Sequence, residues 1–284
     1  MATFTNQAFL TYNGVTTASN IVTGEFTQEL AVTKTALSTV YDSRGDVTYI
    51  ISLINSGATD QTGLTVTDDL AAYTLGTLQL YPLQYKQGSI KYYIGGVLQA
   101  APTVTATQPL TVTGINVPAG GNVLLVYEAD VTEYADPSNG ATLVNTVAVS
   151  GAGVGTALTA TATVTASTDP VLAITKAISP TVVTDGSTVT YTFDIQNTGN
   201  TALAANANAV ITDTFDPILG DITVTYNGAA WTAGNEYAYD EATGVFTTVA
   251  GAMTVPAATY TQNAATGVWS ASAGVSTLVI TGTV

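Results

Sequence analysis

Val47-Thr48-Tyr49-Ile50-Ile51 and Val189-Thr190-Tyr191-Thr192-Phe193 alternate with a period of two, the pattern of a strand with one face toward a core and the other toward water. Leu64-Thr65-Val66-Thr67 and Leu278-Val279-Ile280 continue it. Asn55-Ser56-Gly57, Pro137-Ser138-Asn139-Gly140 and Asn197-Thr198-Gly199 punctuate the runs with residues that favour turns. No stretch carries a convincing helical period. Short strands between frequent turns predict an all-β chain and favour β-sandwiches.

The opening pair also shows that the chain repeats itself. Leu30-Ala31-Val32-Thr33-Lys34 returns as Leu172-Ala173-Ile174-Thr175-Lys176, and Val66-Thr67-Asp68 returns as Ile211-Thr212-Asp213. Val117-Pro118-Ala119 returns as Val255-Pro256-Ala257. A length of 284 residues leaves room for two ordinary domains, each with its own core. The expected division is an N-terminal donor-strand segment at 1–27, a first Ig-like sandwich at 28–168 and a second at 169–284.

The ordered motifs Lys176, Asp185-Gly186, Val189-Thr190-Tyr191, Asn197-Thr198-Gly199 and Ile211-Thr212-Asp213, with their first-half copies, resemble the bacterial conserved repeat domain (domain of unknown function eleven). That family occurs in surface proteins and spore appendages. The resemblance covers nearly the whole chain, twice over, and implies an Ig-like extracellular module without enzymatic activity.

Composition narrows the function classes. Hydrophobic residues make up 46% of the chain and charged residues 9%, so the surface must rely on hydroxyls more than on ions. Twenty acids against five bases give a net charge of −15, which argues against nucleic acid because phosphate binding needs clustered Lys and Arg. Cysteine and histidine are both absent, which removes thiol nucleophiles, histidine bases and the usual zinc ligands together. No apolar run approaches the length of a membrane span. Met1-Ala2-Thr3-Phe4-Thr5-Asn6 lacks the basic and apolar regions of a secretory signal. The expectation is a signal already removed, or release by another route such as mother-cell lysis around a spore.

The phase of the repeat matters more than its existence. After Leu125-Val126-Tyr127 the first half continues into Ala141-Thr142-Leu143-Val144-Asn145-Thr146-Val147-Ala148-Val149, a closing strand. After the matching Leu278-Val279-Ile280 the second half has no such continuation. Its copy stands at the other end: Ala2-Thr3-Phe4-Thr5-Asn6-Gln7-Ala8-Phe9-Leu10 aligns without gaps to residues 141–149. An open sandwich invites strand addition. The expectation is that residues near 2–24 close the second sandwich of the next subunit, since a head-to-tail contact that does not close on itself makes a filament. The alternatives are closure within one chain and a disordered arm.

Strand parity gives each half a polar trio on its apolar face. Lys34 shares a face with Leu30 and Val32, Asp68 with Leu64 and Val66, and Asn145 with Leu143 and Val147. The second half supplies Lys176 and Asp213, and the N-terminal copy supplies Asn6 on the face of Phe4, Ala8 and Leu10. Buried charges are costly, so convergent polar groups need a reason. One is a spontaneous isopeptide bond: desolvation leaves Lys a neutral amine, the amine attacks the Asn carbonyl, a protonated Asp assists, and ammonia leaves. The arrangement looks similar to that of Gram-positive pilins and surface adhesins, with the Lys in an early strand and the Asn in the last. The expected bonds are Lys34 to Asn145, assisted by Asp68, and Lys176 to Asn6 of the next subunit, assisted by Asp213. The plain alternative is a buried ion pair with Asn as neighbour, or a parity slip at a bulge. Asn55 and Asn197 compete as acceptors but read more simply as turn residues.

Weaker signals remain. Asp68-Asp69 and the Asp213/Asp216 pair offer oxygens for calcium, but no EF-hand spacing accompanies them and solvated acids are the simpler reading, so no cofactor is expected. Trp231, Trp269 and the 15 tyrosines suit carbohydrate binding or, more often in a sandwich, cross-strand packing. The chain therefore reads as a non-enzymatic subunit of an extracellular or spore-surface fibre, with copies of itself as partners. The runner-up is an adhesin or surface-layer stalk.

Overall fold

Alternation becomes pleat. In the strand Asp46–Asn55 every second residue from Val47 onward is buried, and Asn122–Val131 behaves in the same way from Val123 onward. The two pair antiparallel, with Tyr49 opposite Tyr127, and present one continuous apolar face. The computed structural model, which describes residues 2–26 and 29–284, is all-β; apart from a 3₁₀ turn at Ala205–Ala207, its regular elements are strands. The expected boundary at 27/28 lies outside the described residues.

The strands used below are β1 (Ala2–Asn6), β2 (Phe9–Tyr12), β3 (Val15–Ala18) and β4 (Val22–Phe26) in the N-terminal segment. The first body contributes β5 (Leu30–Ala36), β6 (Asp46–Asn55), β7 (Gln61–Asp68), β8 (Leu110–Val117), β9 (Asn122–Val131), β10 (Thr142–Ser150) and β11 (Leu158–Ala166). The second contributes β12 (Leu172–Ser179), β13 (Thr188–Asn197), β14 (Thr212–Thr214), β15 (Gly220–Tyr226) and β16 (Val245–Thr248). It ends with β17 (Thr259–Gln262), β18 (Trp269–Ser272) and β19 (Gly274–Thr283).

Two six-stranded sheets build the first body. One runs from Val97–Leu98 through Lys91–Ile94, β9 and β6 to β5, with Leu83–Tyr85 also paired to β9; the other runs from Thr103–Thr107 through β8, β7, β10 and β11 to Val40–Tyr41. Leu53, Leu64, Ile115, Leu125 and Val147 fill the space between them. Each such side chain contributes roughly 1.5–3 kcal/mol on leaving water.

The second body has its own core, including Phe193, Phe215, Phe246, Leu278 and Ile280. Its first sheet, in the order β12, β13, β19, β15 and Ala229–Trp231, matches the first body's. Its facing sheet has three strands, β14, β16 and Tyr237–Asp240, where the first body has six. Among the described residues it has no counterparts of β10, β11 or Val40–Tyr41. The consequence is plain in β12: Leu172 is 43% exposed, whereas its copy Leu30 in β5, beneath β11, is 3% exposed.

The second body also carries an addition. Gly120-Gly121 follows Val117-Pro118-Ala119 in the first body, whereas Val255-Pro256-Ala257 is followed by the β17–β18 hairpin before β19 begins. That hairpin reaches back to the first body. Trp269 N donates to Glu133 O at 3.0 Å, the Gln262 amide donates to the Tyr73 hydroxyl, and Gly267, at φ +78°, lies so close to Leu80 that a Cβ would collide with it. Asn200 adds a second tie, donating to Pro137 O and Ser167 O at 2.9 and 2.6 Å.

Candidate cross-link site

In the first body the three expected residues meet. Lys34 comes from β5, Asp68 from the end of β7 and Asn145 from β10. Lys34 Nζ lies 2.6 Å from Asp68 Oδ2, and both side chains are sealed from solvent. Asn145 is fully buried. Val147 of β10 pairs with Asp68, which puts Asn145 just past the end of β7, and the Tyr127 hydroxyl links its amide to Asp68. Parity was therefore sufficient to find the trio, because no bulge intervenes along β10.

Two tyrosines complete the site, and sequence reading passed over both. The Tyr127 hydroxyl donates to Asp68 Oδ2 at 2.6 Å and accepts from Asn145 Nδ2 at 3.1 Å. Tyr49 stacks on Tyr127 at 5.6 Å and lies under the ammonium of Lys34, 4.9 Å from its ring centre. Parity places Tyr49 and Tyr127 on the inward face of β6 and β9, and that signal would have found them. Among the described residues, the Tyr49 hydroxyl and Asn145 Oδ1 are buried side-chain atoms without a hydrogen-bond partner. A buried carbonyl oxygen left unpaired costs about 1–3 kcal/mol, so the Asn145 amide is held in an unfavourable setting.

Burial sets the charge state. It pushes the Lys34 amine below its ordinary range, against the attraction of Asp68. The same burial pushes the Asp68 carboxyl up, against Lys34 and the hydrogen bonds from Tyr127 and Leu70 N. Both shifts favour the neutral pair, an amine beside a carboxylic acid. Burial also raises both tyrosines.

The competing acceptors are otherwise engaged. Asn55 Nδ2 donates to Thr59 O, Val117 O and Pro118 O, and its Oδ1 accepts from Gly57 N. Asn197 repeats the pattern with Thr201 O, Pro256 O and Gly199 N. These are turn residues with satisfied amides. Asp69 is a local brace as well, accepting from Ala71 N and Thr146 N. Trp231 stacks on Tyr226 at 4.8 Å as cross-strand packing.

In the second body Lys176 and Asp213 are again ion-paired, but the Lys176 side chain is 40% exposed. Its ammonium sits 4.6 Å from the Tyr191 ring centre. The Tyr127 position is taken by Ile280, opposite Tyr191 as Tyr127 is opposite Tyr49. Beside the pair lies an apolar groove of about 180 Å³ lined by Leu172, Ile174, Ile195, Leu203, Ile211 and Met253. Among the described residues, β14 pairs only with β16, and its outer edge carries no strand.

Asn6 lies elsewhere, in the N-terminal segment. There β1 pairs with β4 and β2 with β3, and no ladder joins them to either body among the described residues. The pairing Phe4–Gly24 and Asn6–Val22 copies Leu143–Val164 and Asn145–Ala162 of the β10–β11 hairpin. The expected single strand over residues 2–10 is interrupted at Gln7-Ala8, and Asn6, Phe4, Ala8 and Leu10 are all exposed. Gly24 makes room for the Phe4 ring, a large-to-small exchange relative to Leu143 against Val164.

Fold and site together define an all-β chain with one closed two-sheet body, one open two-sheet body and a lysine–aspartate pair in each. Solved structures of similar outline include BcpA, the major pilin subunit of Bacillus cereus, with 12% identity over 96% of this chain and 73% of that one, at a TM-score of 0.36. The full-length major pilin SpaD of Corynebacterium diphtheriae has 15% identity over 78% of this chain and 49% of that one, also at 0.36. The collagen-binding domain of a Staphylococcus aureus adhesin has 12% identity over 49% of this chain and 99% of that domain, at 0.31. Likenesses this distant assign no function. No family model matches the chain, so the conserved-repeat resemblance rests on the motifs alone, and no curated protein matches it.

Proposed function

We propose that the chain is a non-enzymatic structural subunit of an extracellular fibre, assembled head to tail by strand donation and welded by lysine–asparagine bonds. The observation that carries this reading is that the N-terminal segment repeats the register of the strands for which the second body shows no counterpart among the described residues. The β1–β4 ladder repeats the β10–β11 register, and the second body lacks strands in that position.

Register transfer makes the docking specific. Val147 and Val149 of β10 face Asp68 and Val66 of β7. The same register sets Ala8 of one subunit opposite Asp213 of the next and Leu10 opposite Ile211, which lines the apolar groove. Asn6 then takes the register position beside Asp213 that Asn145 takes beside Asp68. Docking seals the Lys176–Asp213 pair from water, and the desolvation that makes the lysine nucleophilic arrives only with the donor strand. Closure of the edge covers β12 and satisfies the free backbone groups of β14. No helix among the described residues is long and apolar enough to cross a membrane.

The test is electrophoresis of assembled protein after boiling in denaturant, beside negative-stain microscopy. Filaments with a ladder of covalent multimers are expected. Protein lacking residues 2–24 should stay monomeric, and filaments persisting in that deletion would rule out strand donation.

A further inference from the structure

The first body holds a group that the lysine–aspartate–asparagine trio does not account for. The Tyr127 hydroxyl bridges Asp68 Oδ2, at 2.6 Å, and Asn145 Nδ2, at 3.1 Å, and is itself almost wholly buried. Nδ2 is the atom that must depart if Lys34 condenses with Asn145. We propose that Tyr127 is a catalytic residue of this condensation, carrying the proton from Asp68 to the leaving ammonia, and that Ile280 denies the second body the same relay. The inference rests on the covalent-bond reading given above.

The hydrogen bonds fit the chemistry. An amide nitrogen has no free lone pair, so Asn145 Nδ2 donates to the Tyr127 oxygen and the tyrosine donates onward to Asp68. When neutral Lys34 Nζ attacks Asn145 Cγ, a C–N bond forms and the carbonyl π electrons move to Oδ1. Cγ becomes tetrahedral, and Nδ2 becomes an ordinary amine with a basic lone pair. Tyr127 now gives its hydroxyl proton to Nδ2 and takes the acid proton of Asp68. The Asp68 carboxylate so formed receives a proton from Nζ, 2.6 Å away. The Cγ–Nδ2 bond breaks, the carbonyl re-forms and ammonia leaves. One amine and one carboxamide have become a secondary amide and ammonia, with Asp68 and Tyr127 restored and nothing oxidised or reduced. Without the hydroxyl, Asp68 must reach the leaving nitrogen directly or through water.

Position 280 makes this a difference between the two bodies. Ile280 pairs with Tyr191 as Tyr127 pairs with Tyr49, so the second body keeps one ring and loses the hydroxyl that would touch the departing amide. The first body then closes its own bond quickly, and the intersubunit bond follows more slowly. A subunit is covalently set before it is welded to a neighbour.

The test follows the intact mass of full-length protein during cell-free synthesis, comparing wild type with Tyr127→Phe. The variant keeps the ring stacked on Tyr49 and removes only the hydroxyl. Wild type should lose one ammonia per monomer, and Tyr127→Phe should do so at least about 10²-fold more slowly. A second protein carrying a fluorinated, more acidic tyrosine at 127 retains the hydroxyl and its packing, and its rate should move with phenol acidity. Equal rates in wild type and Tyr127→Phe, or no response to fluorination, overturn the relay while leaving the bond in place. Wild type that never loses ammonia overturns both.

Discussion

Lys34 and Lys176 are the same residue of the repeat, each held against its repeat-matched aspartate, yet one side chain is fully shielded from solvent and the other is 40% exposed. The difference lies in what covers them. β10 and β11 lie over the first pair, and among the described residues no strand occupies that place over the second.

Their substitutions should therefore part company. Lys34→Met leaves the buried Asp68 carboxyl without its partner and removes the proposed amide to Asn145, a loss of at least about 1–3 kcal/mol. Lys176→Met breaks a solvated pair worth less than about 1 kcal/mol in the unassembled chain. Urea unfolding of the monomer measures both, and a Lys176→Met loss as large as that of Lys34→Met would contradict the exposed setting of the second site.

Alkaline pH should destabilise the first body. Burial raises Tyr49 and Tyr127 above the ordinary phenol value of 10.0, so folding favours their protonated forms. That stability is fully present below about pH 10 and is lost as pH rises toward the folded values, because the unfolded chain releases these protons first. Denaturant midpoints should fall above pH 10, with a shallower fall in Tyr127→Phe. An identical alkaline slope in wild type and variant would count against burial of this phenol.

Donor-strand residues should matter to assembly and not to the monomer. Phe4 and Leu10 are 49% and 67% exposed in the free chain. Leu10→Asp should leave the thermal transition within about 0.5 kcal/mol of wild type while abolishing filaments seen by negative stain, because the charge would enter the Ile211 groove. Filaments of normal length from Leu10→Asp would refute the register.

Asn55 offers a control for the acceptor. Asn55→Ala removes an amide that bridges three carbonyls and braces Gly57, at a cost of about 1–3 kcal/mol. Mass spectrometry should still show loss of one ammonia in this variant and none in Asn145→Ala. The reverse result would exchange the roles of the two asparagines.

The β17–β18 hairpin should set the angle between the bodies. Gly267→Val combines a strained positive φ with a collision against the Leu80 side chain, which loosens the seat of the hairpin on the first body. Small-angle scattering should then show a broader distribution of shapes with both cores intact. An unchanged scattering curve would mean that the hairpin does not set the junction.

Much of the site was legible in one dimension. Period-two parity puts Lys34, Asp68 and Asn145 on inward faces, and the pleat preserved that parity because the strands carrying them run unbroken through these positions. The same rule applied to Tyr49 and Tyr127, but an inward tyrosine looks like core until its hydroxyl partners are known. In the N-terminal segment parity alone was less informative. Residues 2–10 read as one strand, whereas the free chain breaks at Gln7-Ala8 and folds into two ladders, since no neighbouring edge holds it straight.

Composition, alternation and repeat phase thus determined the fold class, the two-fold repeat and which polar residues face the core of the first body, because these depend on side-chain type and spacing along the strand. Tertiary structure alone decided which copy is buried. Leu30 and Leu172, or Lys34 and Lys176, sit in near-identical sequences, and desolvation is a property of the strand lying across them, not of their own neighbours in the chain.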